Sequence, residues 1–310
     1  LNYGEAKEFG KCLKNKFDEF SLKIDKVNIA NVGASSINFS KSVDEILDYS
    51  EEAYLHARQI GPNEIYISTD KLLETKKESW NFLIGNIMSG AFELSYISET
   101  YSLKKENINK LLMKEAFSIL KDKNGEKIAT TTLIEIVDHY NQSINFDKLV
   151  VEKVIEHLFK KNITHDIVIN LSINSISSAY FISWIEMIIR KNSMVSDQLI
   201  FSLSAHNIVQ NNEAFLTFAL AIKKTKSKIL VKRYEIKYLE LKSLKEFEID
   251  YIRLTTECTI DICKDLYKQR FVLNLQSYCN LTGIKVIVQK VENNEDFSFL
   301  LNNYLYAVSR

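Results

Sequence analysis

Short apolar segments recur between amphipathic segments from residue 80 to residue 310, and this alternation restricts the possible folds more than any other feature of the sequence. An uninterrupted apolar run such as Ile229-Leu230-Val231 is typical of a strand that is buried on both faces. The segments between these runs have the apolar spacing of helices. The predicted strands are residues 91–98, 112–121, 166–171, 199–204, 229–231, 251–254, 285–288 and a last one near 304–308. The predicted helices are residues 131–140, 147–160, 179–190, 212–224, 259–282 and 294–303.

The order of these segments predicts an α/β fold. About eight short strands with helical connections favour a closed (β/α)8 barrel of the TIM type. The first two predicted strands, 91–98 and 112–121, are separated by a polar loop in place of a helix. We therefore expect the first strand of the barrel to be antiparallel to the second.

The first part of the chain has a different pattern, which predicts a small α+β unit. Residues 5–22 and 43–59 have helical apolar spacing, whereas residues 26–40 and 64–68 resemble strands. Residues 69–79 are rich in Lys and Glu and predict a linker helix. We therefore divide the chain into residues 1–68, the linker 69–79 and the barrel domain 80–310.

Composition excludes several classes of function. The sequence contains 40 Lys and Arg residues and 40 Asp and Glu residues, so we expect no nucleic-acid-binding surface. The sequence has no run of 18 apolar residues, so we expect this chain to have neither a membrane span nor a signal peptide. The four cysteines lack zinc-ligand spacing and are typical of free thiols in the cytoplasm. Because the chain begins with Leu1, we expect an excerpt of a longer protein, which leaves a membrane anchor elsewhere in the parent as an open alternative.

Four sequence pieces in the barrel domain resemble the EAL domain, the cyclic di-GMP phosphodiesterase family. They are MKEAFSIL (113–120), DIVINLS (166–172), DYIRL (250–254) and KVIVQKVE (285–292), in the order and at the spacing of that family. The resemblance covers about residues 75–310. It implies a barrel whose carboxyl-terminal mouth holds two Mg²⁺ or Mn²⁺ ions that activate a water against a phosphodiester.

The first part of the chain resembles the C-terminal half of a GGDEF domain, the diguanylate cyclase type. The matching pieces are NVGASSI (31–37) and YSEEAYLHARQIGPNEIYI (49–67). The loop that binds guanine nucleotide lies upstream in that family and outside this sequence. The resemblance therefore implies no cyclase activity for residues 1–68.

The EAL resemblance assigns a set of functional positions, and most of them carry a different residue type here. Glu115 and Asn170 stand where the family has metal ligands of the same type, but Ser202 replaces a metal-binding glutamate. Lys232 and Arg233 replace the family's paired aspartates. The remaining positions are Ala205 for an acidic residue, Arg253 for a lysine, Thr255 for an aspartate, Gln289 for a glutamate, the retained Glu292 and the final pair Val308-Ser309.

These substitutions predict that the metal pair and hydrolysis are lost. Two remaining ligands, next to two added cations, are too few for a pair of hard divalent ions. Ile97 and Ile119 stand where the family has a glutamine and an arginine that contact the dinucleotide. Each replacement removes a contact worth roughly 1–3 kcal/mol, so recognition of cyclic di-GMP is also expected to be weakened.

Two interpretations of the cations and three of the function remain open at this stage. Lys232, Arg233 and Arg253 form either a metal-free anion site or salt bridges with Glu115. The favoured function is an inactive GGDEF–EAL signalling module that acts as a homodimer through an unidentified protein partner. The alternative is a non-hydrolysing receptor for cyclic di-GMP or another anion, and an active phosphodiesterase is the least favoured.

Overall fold

The computed structural model describes residues 3–24, 28–35, 43–68, 70–161, 163–236, 239–289, 291 and 293–309. The chain divides into two compact units, Leu1–Leu83 and Ile84–Arg310. Within the described ranges, no helix has both the length and the apolar character needed to cross a membrane.

The first unit is built around two short parallel strands joined through a helix. Its elements are α1 (Tyr3–Ile24), β1 (Val32–Ser35), α2 (Val43–Ile60) and β2 (Ile65–Ser68). Gly33 allows β1 to lie directly against α2, because a Cβ atom there would come within 1.9 Å of the Tyr54 backbone nitrogen. Within the described residues, the strand predicted over 26–40 covers Val32–Ser35, and residues 26, 27 and 36–40 lie outside the described residues.

The segment predicted as a linker forms the beginning of a longer helix. Helix α3 spans Asp70–Met88, whereas the prediction ended at residue 79. Thr69, the first residue of the predicted linker, lies outside the described residues. The apolar residues that follow the Lys/Glu-rich stretch allow the helix to continue without a break.

The second unit contains a closed barrel of eight strands, in agreement with the predicted (β/α)8 fold of the TIM type. The strands are β3 (Glu93–Ser102), β4 (Leu111–Ile119), β5 (Asp166–Asn170), β6 (Leu199–Ser204), β7 (Lys228–Tyr234), β8 (Tyr251–Leu254), β9 (Lys285–Gln289) and β10 (Ala307–Ser309). The order around the barrel is β10-β3-β4-β5-β6-β7-β8-β9. Strand β3 is antiparallel to both β4 and β10, and all other neighbours are parallel. The predicted antiparallel first strand is thus confirmed.

Helices follow most strands and cover the outside of the barrel. They are α4 (Thr130–His139), α5 (Ser143–Lys161), α6 (Ile173–Ile176), α7 (Ala179–Lys191), α8 (Ala205–Gln210), α9 (Asn212–Lys223), α10 (Leu241–Glu246), α11 (Leu266–Thr282) and α12 (Asn294–Asn302).

Two predicted boundaries near the end of the chain are wrong. The helix predicted over 259–282 begins only at Leu266, because the Asp265 side chain caps it by accepting the backbone N–H groups of Tyr267 (2.9 Å) and Lys268 (3.1 Å). The helix ends at Gly283, whose φ of 81° is the left-handed conformation that favours glycine. The strand predicted near 304–308 is β10, which begins later, at Ala307.

One layer of apolar side chains fills the interior of the barrel. Side chains alternate along each strand, so every second residue points inward. The layer consists of Met113, Val168, Ile200, Leu230, Tyr251, Ile287 and Ala307, all at most 3% exposed. The residues two positions further along these strands therefore form the next layer, which lies at or near the strand ends.

Candidate functional site

The layer beyond the apolar core contains most of the positions singled out in the sequence. Counting two residues onward from each core residue gives one inward-pointing side chain on each of seven strands, all except β3. We call this set the mouth ring, and it consists of Glu115, Asn170, Ser202, Lys232, Arg253, Gln289 and Ser309. The backbone register agrees, because Asn170 pairs with Ser202 across β5 and β6. Positions that are up to 194 residues apart in number are thus collected at one end of the barrel.

Glu115 is the centre of the hydrogen bonds within the mouth ring. Its Oε2 accepts a hydrogen bond from Nη1 of Arg253 at 2.6 Å, and both side chains are only 5% exposed. Its Oε1 accepts a hydrogen bond from Nδ2 of Asn170 at 2.7 Å and lies 3.7 Å from Nζ of Lys232. Lys232 also donates to Oδ1 of Asn170. One carboxylate therefore binds two cations, and Asn170 bridges the lysine and the carboxylate.

The charges in the ring shift each other's pKa in a consistent way. Burial would by itself raise the pKa of Glu115, but the charges of Arg253 and Lys232 and the hydrogen bonds outweigh it, so the pKa lies below its ordinary value of 4.5. Burial lowers the pKa of Lys232, and repulsion from Arg253 and Arg233 adds to this while attraction to Glu115 opposes it. Glu115 is therefore firmly ionised, whereas Lys232 carries its charge against a cost of burial.

Other members of the ring have incomplete hydrogen bonding. Within the part of the chain that the structure describes, Ser202 Oγ and the Nε and Nη2 atoms of Arg253 have no hydrogen-bond partner. Ser202 is fully buried. The side chain of Gln289 bonds to a residue outside the ring, because its Nε2 donates to Oγ1 of Thr256 at 2.9 Å. The ring is thus polar and positively charged, with donors in excess of acceptors around Arg253.

Arg233 lies outside the ion pairs that Lys232 and Arg253 make with Glu115, although its charge lowers the pKa of Lys232. The register of β7 with β8 shifts between Val231 and Tyr234, and Arg233 has a φ of 51°. Its side chain is exposed, and no described contact connects it to Glu115 or Asn170. A strand residue next to an inward-pointing one faces outward, and the irregularity at this position adds to the separation.

The remaining predicted positions lie around the ring. Ile97 pairs directly with Glu115 across β3 and β4 and is 52% exposed, and Ile119 ends β4 opposite Glu93. Ala205 and Thr255 follow their strands and are buried. Val308 and Ser309, the counterpart of the family's final pair, lie in β10. Glu292, by contrast, lies outside the described residues.

The donor set of the ring does not fit a pair of Mg²⁺ or Mn²⁺ ions. Such ions require clustered carboxylate oxygens. The ring supplies one carboxylate, Glu115, and both of its oxygens already accept from other ring members. Among the described residues, no group of three or more His, Cys, Asp or Glu side chains is arranged to hold a metal ion. No catalytic step through a metal pair can therefore be derived from these residues.

A cavity opens beside the ring. It has a volume of about 340 Å³ and lies between the ends of β4 and β5 and the helices α4 and α5. Asn170 and Lys232 reach it from the ring, and Phe117, Leu133 and Ile134 give it apolar walls. Apolar walls with a few polar groups at one end are typical of sites for small ligands.

Asp147 is a buried carboxylate beside the ring that the sequence analysis missed. It lies in α5, and its Oδ2 accepts the backbone N–H of Ser172 at 2.8 Å, which fixes the turn after Asn170. Its burial raises its pKa to about 6, against the opposing effect of hydrogen bonds from Ser172 and Ser175. The available signal was a carboxylate within the apolar stripe of α5, beside Phe146, Val150 and Val151. A buried charge on such a stripe indicates a hydrogen-bonded role.

Comparison with known proteins identifies the family of the barrel. Residues 107–307 match the EAL domain family. The Cyclic di-GMP phosphodiesterase PdeA of Borreliella burgdorferi is 21% identical over 227 residues, which cover 72% of this chain and 33% of that protein. The chain thus spans about a third of the length of this curated relative.

Solved structures with the same fold include proteins from two other bacteria. The structure described as Vibrio cholerae LapD S helix-GGDEF-EAL (apo) superposes with a TM-score of 0.67 and 23% identity, and the match covers 96% of this chain and 72% of that one. The Xanthomonas citri FimX EAL domain in complex with c-diGMP gives a TM-score of 0.67 and 19% identity, covering 77% and 94%. These likenesses agree with the fold of the barrel. Because the family match covers well over half of the sequence, the chain belongs to the EAL domain family.

Proposed function

We propose that this chain is a signalling domain of cyclic di-GMP pathways that does not hydrolyse the dinucleotide and acts through contact with another protein. The observation that carries the proposal is the pairing of Glu115 with both Lys232 and Arg253. Cations of the chain itself occupy the coordination positions of the carboxylate that the EAL resemblance assigns to a metal.

Electrostatics supports this proposal quantitatively. Two unit charges 4 Å apart interact with roughly 4 kcal/mol near a protein surface, and a divalent ion doubles that figure. A metal ion next to Glu115 would meet repulsion from Lys232 and Arg253, which together exceed the single negative charge of Glu115. The net charge of the ring therefore opposes a divalent ion at Glu115 as long as both cations are present.

The test is a turnover assay on the full chain. We expect no linear product from cyclic di-GMP above a protein-free blank with either Mg²⁺ or Mn²⁺, measured by chromatography beside an active EAL phosphodiesterase. Metal-dependent turnover that survives repurification of the chain, and that Glu115→Gln abolishes, would refute the proposal.

A second candidate function is a receptor that binds cyclic di-GMP or another anion without cleaving it. The cavity beside the ring favours it, because Lys232 and Asn170 line that cavity and the ring carries more positive than negative charge. The FimX structure named above contains the dinucleotide, so a domain of this fold accommodates it. Exposed apolar Ile97 beside Glu115 is the feature that opposes it.

Calorimetry distinguishes the two candidates. The first candidate predicts no heat of binding with cyclic di-GMP, with or without magnesium. Micromolar binding of cyclic di-GMP that is weakened by Lys232→Gln, but not by the control Lys242→Gln, would favour the receptor over the first candidate. Lys242 is a suitable control because its side chain is 82% exposed and pairs with Glu246 on α10.

The domain organisation proposed with this function follows the sequence. We infer that residues 1–68 are the C-terminal part of a GGDEF-like domain, that residues 69–79 are the linker and that residues 80–310 form an EAL barrel without activity. The match to the LapD S helix-GGDEF-EAL structure over 96% of this chain supports that order. A cytoplasmic homodimer is the proposed working state, and light scattering at several concentrations measures it.

A further inference from the structure

A second cavity lies at the end of the barrel opposite the mouth ring. It has a volume of about 220 Å³ and forms where β9 begins and where the chain enters β10. We call it the lysine–tyrosine cavity, and its main lining residues are Lys104, Lys285, Tyr304, Tyr306, Gln276 and Gly283. A Cβ atom at Gly283 would have no neighbour within 4 Å, so there is open space on this side of the helix end.

Two lysines of this cavity, Lys104 and Lys285, have no salt bridge to a carboxylate among the described residues. Nζ of Lys285 lies 5.1 Å from the ring centre of Tyr251 and 5.2 Å from that of Tyr306, and Nζ of Lys104 lies 5.3 Å from that of Tyr306. Among the described residues, neither ammonium group has an acidic oxygen within salt-bridge distance. Aromatic faces attract a cation but do not neutralise it. Lys285 is half-buried, and a cation in that position is normally paired.

The nearest carboxylates are committed to other groups. Asp166 binds Lys228 at 2.5 Å. Asp250 binds Lys223 at 3.0 Å, and its second oxygen accepts the backbone N–H of Ile229 at 2.8 Å. Burial lowers the pKa of Lys285, repulsion from Lys228 and Lys104 adds to the shift, and attraction to Asp250 and Asp166 opposes it. These two carboxylates are each bound to another lysine, so they offset the positive charge of the cavity only in part.

Gln276 adds a hydrogen-bond acceptor to the same cavity. Its side chain is buried, and its Nε2 donates to the backbone oxygens of Asn303 (3.2 Å) and Tyr304 (2.8 Å). These two bonds fix the orientation of the amide. Its Oε1 has no hydrogen-bond partner in the described part of the chain. A buried acceptor of this kind is normally satisfied by a donor, which a ligand can supply.

We propose that the lysine–tyrosine cavity binds a hydrogen phosphate group, whose charged oxygens contact Lys104 and Lys285 and whose O–H donates to Oε1 of Gln276. The small volume restricts the ligand to inorganic phosphate or a small phosphomonoester, because larger ligands occupy pockets of about 300 Å³ or more. A dianion without an O–H group, such as sulfate at neutral pH, satisfies the lysines but leaves Gln276 unpaired.

The test is a titration of the isotope-labelled full chain followed by the amide resonances of Gly283 and Ile284 at constant ionic strength. We expect saturable shifts with inorganic phosphate, and binding about fivefold weaker with sulfate because one neutral hydrogen bond is lost. Glycerol phosphate is the third ligand. Whichever phosphate binds tighter identifies the free ion or the monoester as the source, and both results support the site.

Three variants separate the site from general charge effects. Lys104→Gln and Lys285→Gln are expected to weaken phosphate binding about tenfold or more, since each removes a charge-assisted hydrogen bond. Lys104 is exposed, so its variant is expected to fold normally. The control is Lys121→Gln, which removes the same charge at the opposite end of the barrel, where Lys121 pairs with Glu93 at 3.4 Å. Non-saturable shifts, equal binding of sulfate, or an equal effect of the control variant would overturn the proposal.

Discussion

Replacing Glu115 with glutamine is expected to destabilise the barrel far more than the loss of a surface ion pair would. Glutamine keeps the shape and an acceptor for Asn170, but it leaves Arg253 and Lys232 without a negative charge. Unpairing buried charges in this way costs about 3–5 kcal/mol. Because Glu115 and Arg253 are each 5% exposed, solvent screens little of this cost.

The matched variant is Lys232→Met, for which the expected loss is within about 1 kcal/mol. The lysine is 26% exposed, its ammonium lies 3.7 Å from the carboxylate, and burial already lowers its pKa. Its removal therefore relieves a cost of burial while Arg253 still neutralises Glu115. The two variants change the same ion cluster and are expected to differ by about 2–4 kcal/mol.

Urea unfolding monitored by tryptophan fluorescence measures this difference. The sequence has two tryptophans, and Trp184 lies on α7 of the barrel, so a Trp80→Phe background makes the signal specific for that unit. The free energies of unfolding follow from linear extrapolation. A loss below about 1 kcal/mol for Glu115→Gln, or an equal loss for Lys232→Met, would show that Glu115 does not balance buried charge.

Three further outcomes are expected from single substitutions. Asp147→Asn is expected to gain about 1–3 kcal/mol in stability relative to the original chain as the pH rises from 4 to 7. Folding raises the pKa of Asp147 to about 6, so protonated Asp147 stabilises the original chain at pH 4 and this stabilisation is lost by pH 7. A difference in urea midpoints that does not change with pH would contradict this. Ser202→Ala is expected to raise the melting temperature or leave it unchanged, since a buried hydroxyl without a partner is removed at a gain of up to about 1 kcal/mol; a clear loss would indicate a hidden hydrogen bond. Gly33→Ala is expected to lower the stability of the first unit by about 3 kcal/mol or more, because the new Cβ overlaps the Tyr54 backbone. Hydrogen exchange of the α2 amides measures this loss, and unchanged protection would refute the close approach.

Much of the barrel and its ring could be predicted because both depend on local alternation. Each apolar run marks a core residue such as Leu230, and the inward side chain two positions later, here Lys232, follows from the period of a strand. The same alternation turns Arg233 outward, but the backbone irregularity at this position could not be predicted from it. The positive φ of Arg233 and the register shift before Tyr234 break the period locally, and the residue types at positions 232–234 do not predict such an irregularity.

The contacts between side chains were less accessible to sequence reasoning than their positions. The choice between an anion site and a salt-bridged cluster depends on distances to Glu115, which packing of several strands determines. The lysine–tyrosine cavity was missed altogether, because Lys104, Gln276 and Lys285 lie on separate elements and belong to no shared pattern. Asp147 was missed for a different reason: its place within an apolar helix stripe is visible in the sequence, but its hydrogen-bond partner, the backbone N–H of Ser172, is not.

The salt-bridged ring also has a consequence for how the barrel mouth responds to its surroundings. A bound metal ion exchanges with solution, so its occupancy depends on the free ion concentration and falls when a chelator is added. Lys232 and Arg253 are covalently part of the chain, and their effective concentration at Glu115 is fixed by the strands that carry them. Glu115 therefore has counter-charges that no change in the concentration of a free ion removes.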